Sequence, residues 1–242
     1  MIKICTVSKR YNKNSDLVLK NISFEISRGK VLGVLGPNGS GKTTLLKIIV
    51  GFLKATSGEI NFEDLTMSKE RHLFKNKIKF LPADSTVFGM FTPREILRYI
   101  LEFDDYPKEK IEDRITQIIN QLNMLEYQNK KASEFSTGMK KLLSIASVVV
   151  SEPEVIILDE PTNGLDVTAR RLVKNYIQYL KKLGTTIILS THLMTDIEEL
   201  CDDIVFINKG NIIVKDSLKN LYNKYQNKNI EQIFFEVINH EI

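Results

Sequence analysis

"KVLGVLGPNGSGKTTLLKII", residues 30–49, sets the architecture of the chain. Its opening, "KVLGVLG" (30–36), reads as a short apolar strand ending in glycine. Its close carries Leu45, Leu46, Ile48 and Ile49, the buried face of a helix. Between them "GPNGSGKT" (36–43) matches G-x-x-x-x-G-K-[ST]. Gly36, Gly39 and Gly41 let backbone N–H groups converge on phosphate oxygens without side chains in the way. In that arrangement Lys42 reaches the β- and γ-phosphates of a nucleotide, and the Thr43 hydroxyl is a ligand for Mg2+. The plain alternative is a glycine-rich turn with an incidental lysine, and the strand–loop–helix setting argues against it. The motif specifies a nucleotide phosphate without saying which enzyme uses it.

On the C-terminal side, after Pro153, apolar strands and helices alternate: strand "VIILD" (155–159), helix 167–183, strand "TTIILS" (185–190), helix 193–201 and strand "DIVFIN" (203–208). Apolar strands separated by helices make a parallel sheet covered on both faces, with ligands at the strands' carboxyl ends. On the N-terminal side, residues 2–7 and 17–26 carry strand-like positions (Ile2, Ile4; Val18, Ile22, Phe24, Ile26) joined by a polar loop with Asn12, Asn14 and Ser15. The middle, 93–124, has helical spacing, clearest at Ile111, Ile115, Ile118, Ile119 and Leu122, and Pro107 suits a first helical turn. The expected fold class is therefore α/β: a P-loop NTPase core with an N-terminal antiparallel β flank and a helical subdomain inserted at about residues 85–150. Residues 1–216 form that domain. Residues 217–242 are a short extension expected to form a terminal helix and strand, with Ile230, Ile233, Phe234, Phe235 and Val237 suggesting packing.

Composition narrows the classes further. Of 242 residues, 43% are hydrophobic and 26% charged, ordinary for a soluble globular protein. The net charge of +4 comes from lysines scattered among acids, with no aromatic-basic stripe, so nucleic acid is not indicated. The basic stretch Lys219 to Lys228 reads as solvated surface. Cys5 and Cys201 are far apart, make no metal or redox spacing, and read as reduced thiols of a cytosolic protein. The N-terminus shows no apolar signal segment, and no apolar stretch approaches the roughly 20 residues that span a bilayer. A membrane role would have to run through a partner.

Three further constellations carry chemistry. Asp159 ends a buried strand, the place for a carboxylate holding a magnesium shell, and Glu160 beside it can act on an attacking water as general base. An acid pair after a strand is often only a solvated turn, but this one shares a sheet with the phosphate loop. His192 follows the next strand in "LSTH" and can reach a γ-phosphate from there. His72 and His240 have no such setting and read as surface residues. The third constellation is "EFSTGM" (134–139), where Ser136 is placed to cap the following helix or to present that helix's free N–H groups to a phosphate.

With these elements together, the sequence resembles the nucleotide-binding subunit of ATP-binding cassette (ABC) transporters, in the exporter-type (ABC-2-like) branch. The likeness runs from about residue 2 to residue 216, through "SKRY" (8–11), "GPNGSGKTT" (36–44), "FSTGM" (135–139), "VIILDEPTNGLD" (155–166) and "STH" (190–192). It implies that Gly36, Asn38, Gly39, Ser40, Gly41, Lys42, Thr43 and Thr44 hold ATP. It implies Mg2+ on Thr43 and Asp159, with Glu160, His192 and Lys42 as catalytic groups. Tyr11 is implied to stack on adenine, with a half-buried tyrosine after a strand as the alternative. Two cassettes of this family pack head to tail around two ATP molecules, so Ser136, Gly138 and Asp166 are implied to face the partner's nucleotide. The partner is a second cassette, identical or different. A separate membrane permease follows as well, which would hold the chain at the cytoplasmic face of the membrane, with a lean to export. The competing class is a soluble single cassette acting as an assembly or scaffold ATPase. A P-loop kinase has no use for "FSTGM".

Two positions depart from the family pattern. Leu-Ser-Gly-Gly-Gln is the usual signature; here it is Phe135, Ser136, Thr137, Gly138 and Met139, and the Ser-x-Gly-Met form points to the exporter-type branch. In "KFLPADSTVF" (79–88) Ala83 stands where the family has glutamine or glutamate, with Asp84 or Ser85 as substitutes if the loop shifts. Ala83 implies looser coupling to a permease or slower hydrolysis. Val87, Phe88, Met90 and Phe91, just beyond, are either core under the helical insertion or a groove for a permease helix.

Overall fold

A computed structural model describes residues 1–63, 65–66, 70, 74, 77–85, 87–226 and 228–239. His72 and His240, expected at the surface, lie outside the described residues. Along the chain run β1 (Ile2–Lys9), β2 (Leu19–Ile26), β3 (Val31–Leu35), α1 (Lys42–Ile49), β4 (Ser57–Phe62), β5 (Leu65–Thr66) and β6 (Ile78–Leu81). Helices α2 (Pro93–Phe103), α3 (Ile111–Gln121) and α4 (Thr137–Val149) follow, then β7 (Val155–Asp159), α5 (Val167–Lys182), β8 (Thr186–Ser190), α6 (Met194–Leu200), β9 (Asp203–Asn208) and β10 (Asn211–Ser217). Two helices, α7 (Leu218–Lys224) and α8 (Ile230–Asn239), close the described chain.

The central sheet has the order β10-β9-β3-β8-β7-β6, parallel from β9 to β6, with β10 antiparallel on β9. Its inner strands are apolar at nearly every position because both faces are covered. On β3, Val31 and Leu35 enter the core on one side while Leu32 and Val34 enter the core on the other. On β7, Ile156 and Leu158 divide in the same way from Val155 and Ile157. One core gathers α2 to α5 and the C-terminal helices; the other gathers α1 and the antiparallel sheet β2-β1-β4-β5. That second sheet is the β flank, and β1 pairs antiparallel with both β2 and β4.

The helical middle breaks in two where the sequence changes its chemistry. Thr92 and Glu95 form a reciprocal capping box at the start of α2, and Pro93 occupies its first turn, where the missing N–H costs nothing. The backbone N–H and hydroxyl of Thr92 donate to the Glu95 carboxylate and hold its pKa below the usual range. Pro107 precedes the short turn Lys108–Lys110 that leads into α3. Arg114 of α3 is buried, and its guanidinium donates to Val150 O at 2.8 Å and Val149 O at 3.1 Å, covering carbonyls at the end of α4. The expected C-terminal strand is absent from the described residues after Ser217; α8 is there instead. Ile230, Ile233, Phe234 and Val237 repeat at helical spacing, and Ile230, Ile233 and Val237 are buried in the core.

Candidate functional site

Parallel register brings the loops together. Val34 on β3 pairs with Ser190 on β8, Ser190 pairs with Asp159 on β7, and Leu158 pairs with Leu81 on β6. The chain therefore leaves four neighbouring strands at one edge, through Gly36, His192, Glu160 and Ala83.

The glycines of residues 36–41 serve different ends. A Cβ on Gly36 would fall 2.1 Å from Ile207 O, and one on Gly41 would fall 2.7 Å from Leu19 Cδ2, so the loop closes on neighbouring chain only with glycine there. Gly39 has φ 77° and nothing within 4 Å of a Cβ, which leaves the space above the loop open. Gly41 caps α1 with no side-chain bond to the first-turn N–H groups. The Ser40 hydroxyl is buried and without a hydrogen-bond partner among the described residues. Asn38 is exposed on the loop. Lys42 folds back on the loop, donating to Gly36 O at 2.7 Å and Pro37 O at 3.1 Å. Burial lowers its pKa from the usual lysine value, against the opposing pull of Glu160 and Asp159. An orphaned hydroxyl, uncapped N–H groups and a half-buried ammonium fit a phosphate group.

Asp159 is buried at the end of β7 and has both oxygens engaged: Thr43 Oγ1 donates to Oδ2 at 3.0 Å, and Ser190 Oγ donates to Oδ1. The hydroxyl of Thr43 and the carboxylate of Asp159 are the hard oxygen donors that suit Mg2+, with its other positions left to water or phosphate. Glu160 adopts a left-handed backbone (φ 51°), a conformation that costs a non-glycine residue roughly 1–2 kcal/mol. Its N–H donates to Ser190 O at 3.1 Å and is 3.3 Å from Ser190 Oγ, bonds that hold it there. The Glu160 carboxylate lies 2.9 Å from His192 Nδ1, on the solvent side of Asp159. Ser190 thus supports both acids. It belongs to the "STH" motif, where sequence reasoning gives it no role of its own; a hydroxyl one strand over from an acid pair is the available signal.

Tyr11 is largely exposed, with its hydroxyl 3.1 Å from Thr44 Oγ1 and Lys9 Nζ 5.5 Å from the ring centroid. It stands beside the phosphate loop and is exposed rather than half-buried.

Ser136, Gly138 and Asp166 sit apart from that cluster. Met139 N–H donates to Ser136 Oγ at 3.3 Å, capping α4, and Ala169 N–H donates to Asp166 Oδ1 at 2.8 Å, capping α5. A Cβ on Gly138 would lie 3.9 Å from Leu165 Cδ2, so the two loops lie side by side, with Ser136 and Asp166 exposed. Among the described residues no hydrogen bond joins any of the three to residues 36–44. Ala83 and Asp84 are exposed and Ser85 is half-buried, and among the described residues none of their side chains bonds to Thr43 or Asp159. A buried side chain does reach this loop: Lys141 of α4 donates to Ala83 O at 3.4 Å. Of the apolar segment that follows, Phe88, Met90 and Phe91 are exposed and only Val87 packs against the core, so the core reading of the other three is wrong.

The profile of the ABC transporter family matches residues 19–163. The chain is 31% identical over 237 residues to the ABC transporter ATP-binding protein NatA of Bacillus subtilis (strain 168), covering 97% of this chain and 96% of that protein. It is 33% identical over 239 residues to the lantibiotic transport ATP-binding protein SrtF of Streptococcus pyogenes, covering 98% and 99%. An ATP binding subunit of an ABC transporter shares the fold with a TM-score of 0.90 at 23% identity, over 98% of this chain and 99% of that one. A dimeric structure of the bacterial ABC transporter cassette MJ0796 matches with a TM-score of 0.82 at 25% identity, over 90% and 99%.

Proposed function

As the chain belongs to the ABC transporter family and is an ATPase of that kind, we propose that it pairs with a second cassette around two ATP molecules and drives a separate membrane permease in the direction of export. The observation that carries this is the linked set Thr43, Asp159, Ser190, Glu160 and His192 at one sheet edge, beside a loop shaped for phosphate. Bound MgATP would supply the phosphoanhydride bond to be broken and the cation that steadies its charge.

The chain's own groups divide the remaining work. Backbone N–H groups of 36–44 and the Lys42 ammonium bind the phosphates, the ammonium exchanging its two carbonyl acceptors for charged oxygens. Thr43 and Asp159 would hold the metal. Glu160 accepts a proton from, or polarises, the attacking water, while His192, 2.9 Å away, orients Glu160 and the terminal phosphate. Tyr11 stacks on the base, leaning on Thr44. Ser136, Gly138 and Asp166 act on the nucleotide of the other cassette, a role supported by the exposure of Ser136 and Asp166 and by caps that already satisfy those two locally.

The permease role is supported by the exposed Phe88, Met90 and Phe91 beside the Ala83 loop, an apolar surface next to the site that could receive a short helix. Among the described residues no helix is long and apolar enough to cross a membrane. The lean to export rests on the Ser-x-Gly-Met signature and on similarity to a lantibiotic transport protein. Glu160→Gln tests the pairing: with its water-activating carboxylate gone, the variant should accumulate as an ATP-bound dimer by light scattering. A strictly monomeric Glu160→Gln protein saturated with ATP would refute self-pairing and require a different chain as partner.

A further inference from the structure

Two lysines are buried in the described helices, and they are treated differently. Lys174 on α5 meets two carboxylates, Asp196 at 2.7 Å and Glu199 at 3.1 Å, and hydrogen bonds to them raise its pKa despite its burial. That is a satisfied ion pair. Lys141 on α4 has a single partner among the described residues, Ala83 O at a long 3.4 Å, although the residue is only 9% exposed. Burial lowers its pKa, and Asp159, Glu160 and Asp84 pull the other way. Its neighbour Lys140 is in solvent, so the inward turn of Lys141 is not a general property of this basic pair. An ammonium with donor capacity to spare, in the field of the acid pair, resembles a group waiting for an acceptor more than one holding the fold.

We propose that Lys141 is a positioning residue of this chain's own ATP site, tying α4 to the Ala83 loop beside Asp159 and Glu160 and supplying part of the polar function that the Ala83 side chain lacks. The inference rests on the ATP-site reading above. An amide at residue 83 would put a donor and an acceptor at this loop. Here the Ala83 carbonyl is held by Lys141, and the ammonium brings positive charge to where the acids meet the nucleotide. Helix α4 then serves two nucleotides, its Ser136 end for the partner's site and Lys141, one turn deeper, for its own. Loading of the local site is thereby coupled to the orientation of the surface offered to the partner.

The test uses the full chain with Lys141→Met, Lys141→Arg and the double variant Lys141→Met/Ala83→Gln, alongside wild type and Lys42→Ala. Fluorescent ATP is titrated with and without Mg2+, and steady-state hydrolysis and thermal midpoints are measured on the same samples. Lys141→Met should lose about tenfold both in ATP affinity without Mg2+, where the phosphate charge is least compensated, and in kcat. Lys141→Arg should restore most of both, and the double variant should exceed Lys141→Met in both by about threefold or more. A Lys141→Met protein with a lower thermal midpoint but unchanged metal-free ATP affinity and kcat would overturn the proposal, leaving a packing role. A double variant no better than Lys141→Met would overturn the link to residue 83. Should Lys141→Met fail to fold, Lys141→Gln takes its place, and the same losses support the proposal or, if absent, overturn it. Unaltered ATP binding in Lys42→Ala would instead sink the ATP-site reading itself.

Discussion

At the start of α1 polar groups bond to one another across neighbouring strand ends; at the start of α4 they bond only within their own turn. Thr43 joins Asp159, Asp159 joins Ser190, Ser190 meets Glu160, and Glu160 lies against His192, so five residues from three segments hold one arrangement. Ser136 has only Met139 N–H, and Asp166 only Ala169 N–H, as partners of their side chains among the described residues. The first arrangement is preorganised inside a single chain, and charge chemistry depends on such preorganisation. The second is stable without a ligand because a helix cap already satisfies it, which lets the same hydroxyl be exposed at no cost until a second surface arrives.

Breaking the first region should have the largest effect. Lys42→Ala is expected to reduce ATP affinity and hydrolysis each by about 100-fold or more, since the ammonium has no replacement on the loop. Isothermal titration with ATP and a phosphate-release assay check it, and near-normal binding would contradict the loop's role. Ala83→Gln in the wild-type background sharpens the comparison with the smallest effect. Because Lys141 already covers part of the amide's function, hydrolysis should rise by only about two- to threefold. An unchanged rate, with unchanged stimulation by a permease, would show that residue 83 does not limit this site.

The first region was legible in the sequence and the second only in part, for physical reasons. Residues 36–43 are contiguous, and a Cβ added to Gly36 would fall 2.1 Å from Ile207 O, so glycine there cannot be replaced without a clash. The apolar strands 155–159 and 185–190 announce a sheet covered on both faces, and the core divides across it as such a pattern requires. Other features depend on geometry that no short window carries. Ser190 meets Asp159 because β7 and β8 pair in that register. Lys141 turns inward while Lys140 does not because of the phase of α4 against β6. The expectation of a strand near the C-terminus fails because the apolar residues at 230–237 have helical spacing, and α8 follows that spacing. Strands β4, β5 and β10 carry mixed or half-buried positions and so lack the apolar signature of the inner sheet.

The central claim is that each chain carries one complete nucleotide-holding half and one half meant for its partner, and mixing two inactive variants tests it most directly. One variant is Lys42→Ala, which damages only the first half; the other is Ser136→Ala combined with Gly138→Asp, which damages only the second. Each alone should be inactive as a like-with-like pair. In a mixed pair, head-to-tail assembly puts both lesions in one site and leaves the other intact, so hydrolysis should return, up to about half the wild-type rate per pair. If mixed pairs form, as judged by co-purification through different tags, and stay as inactive as the parents, the two halves do not belong to different nucleotides and the account is wrong.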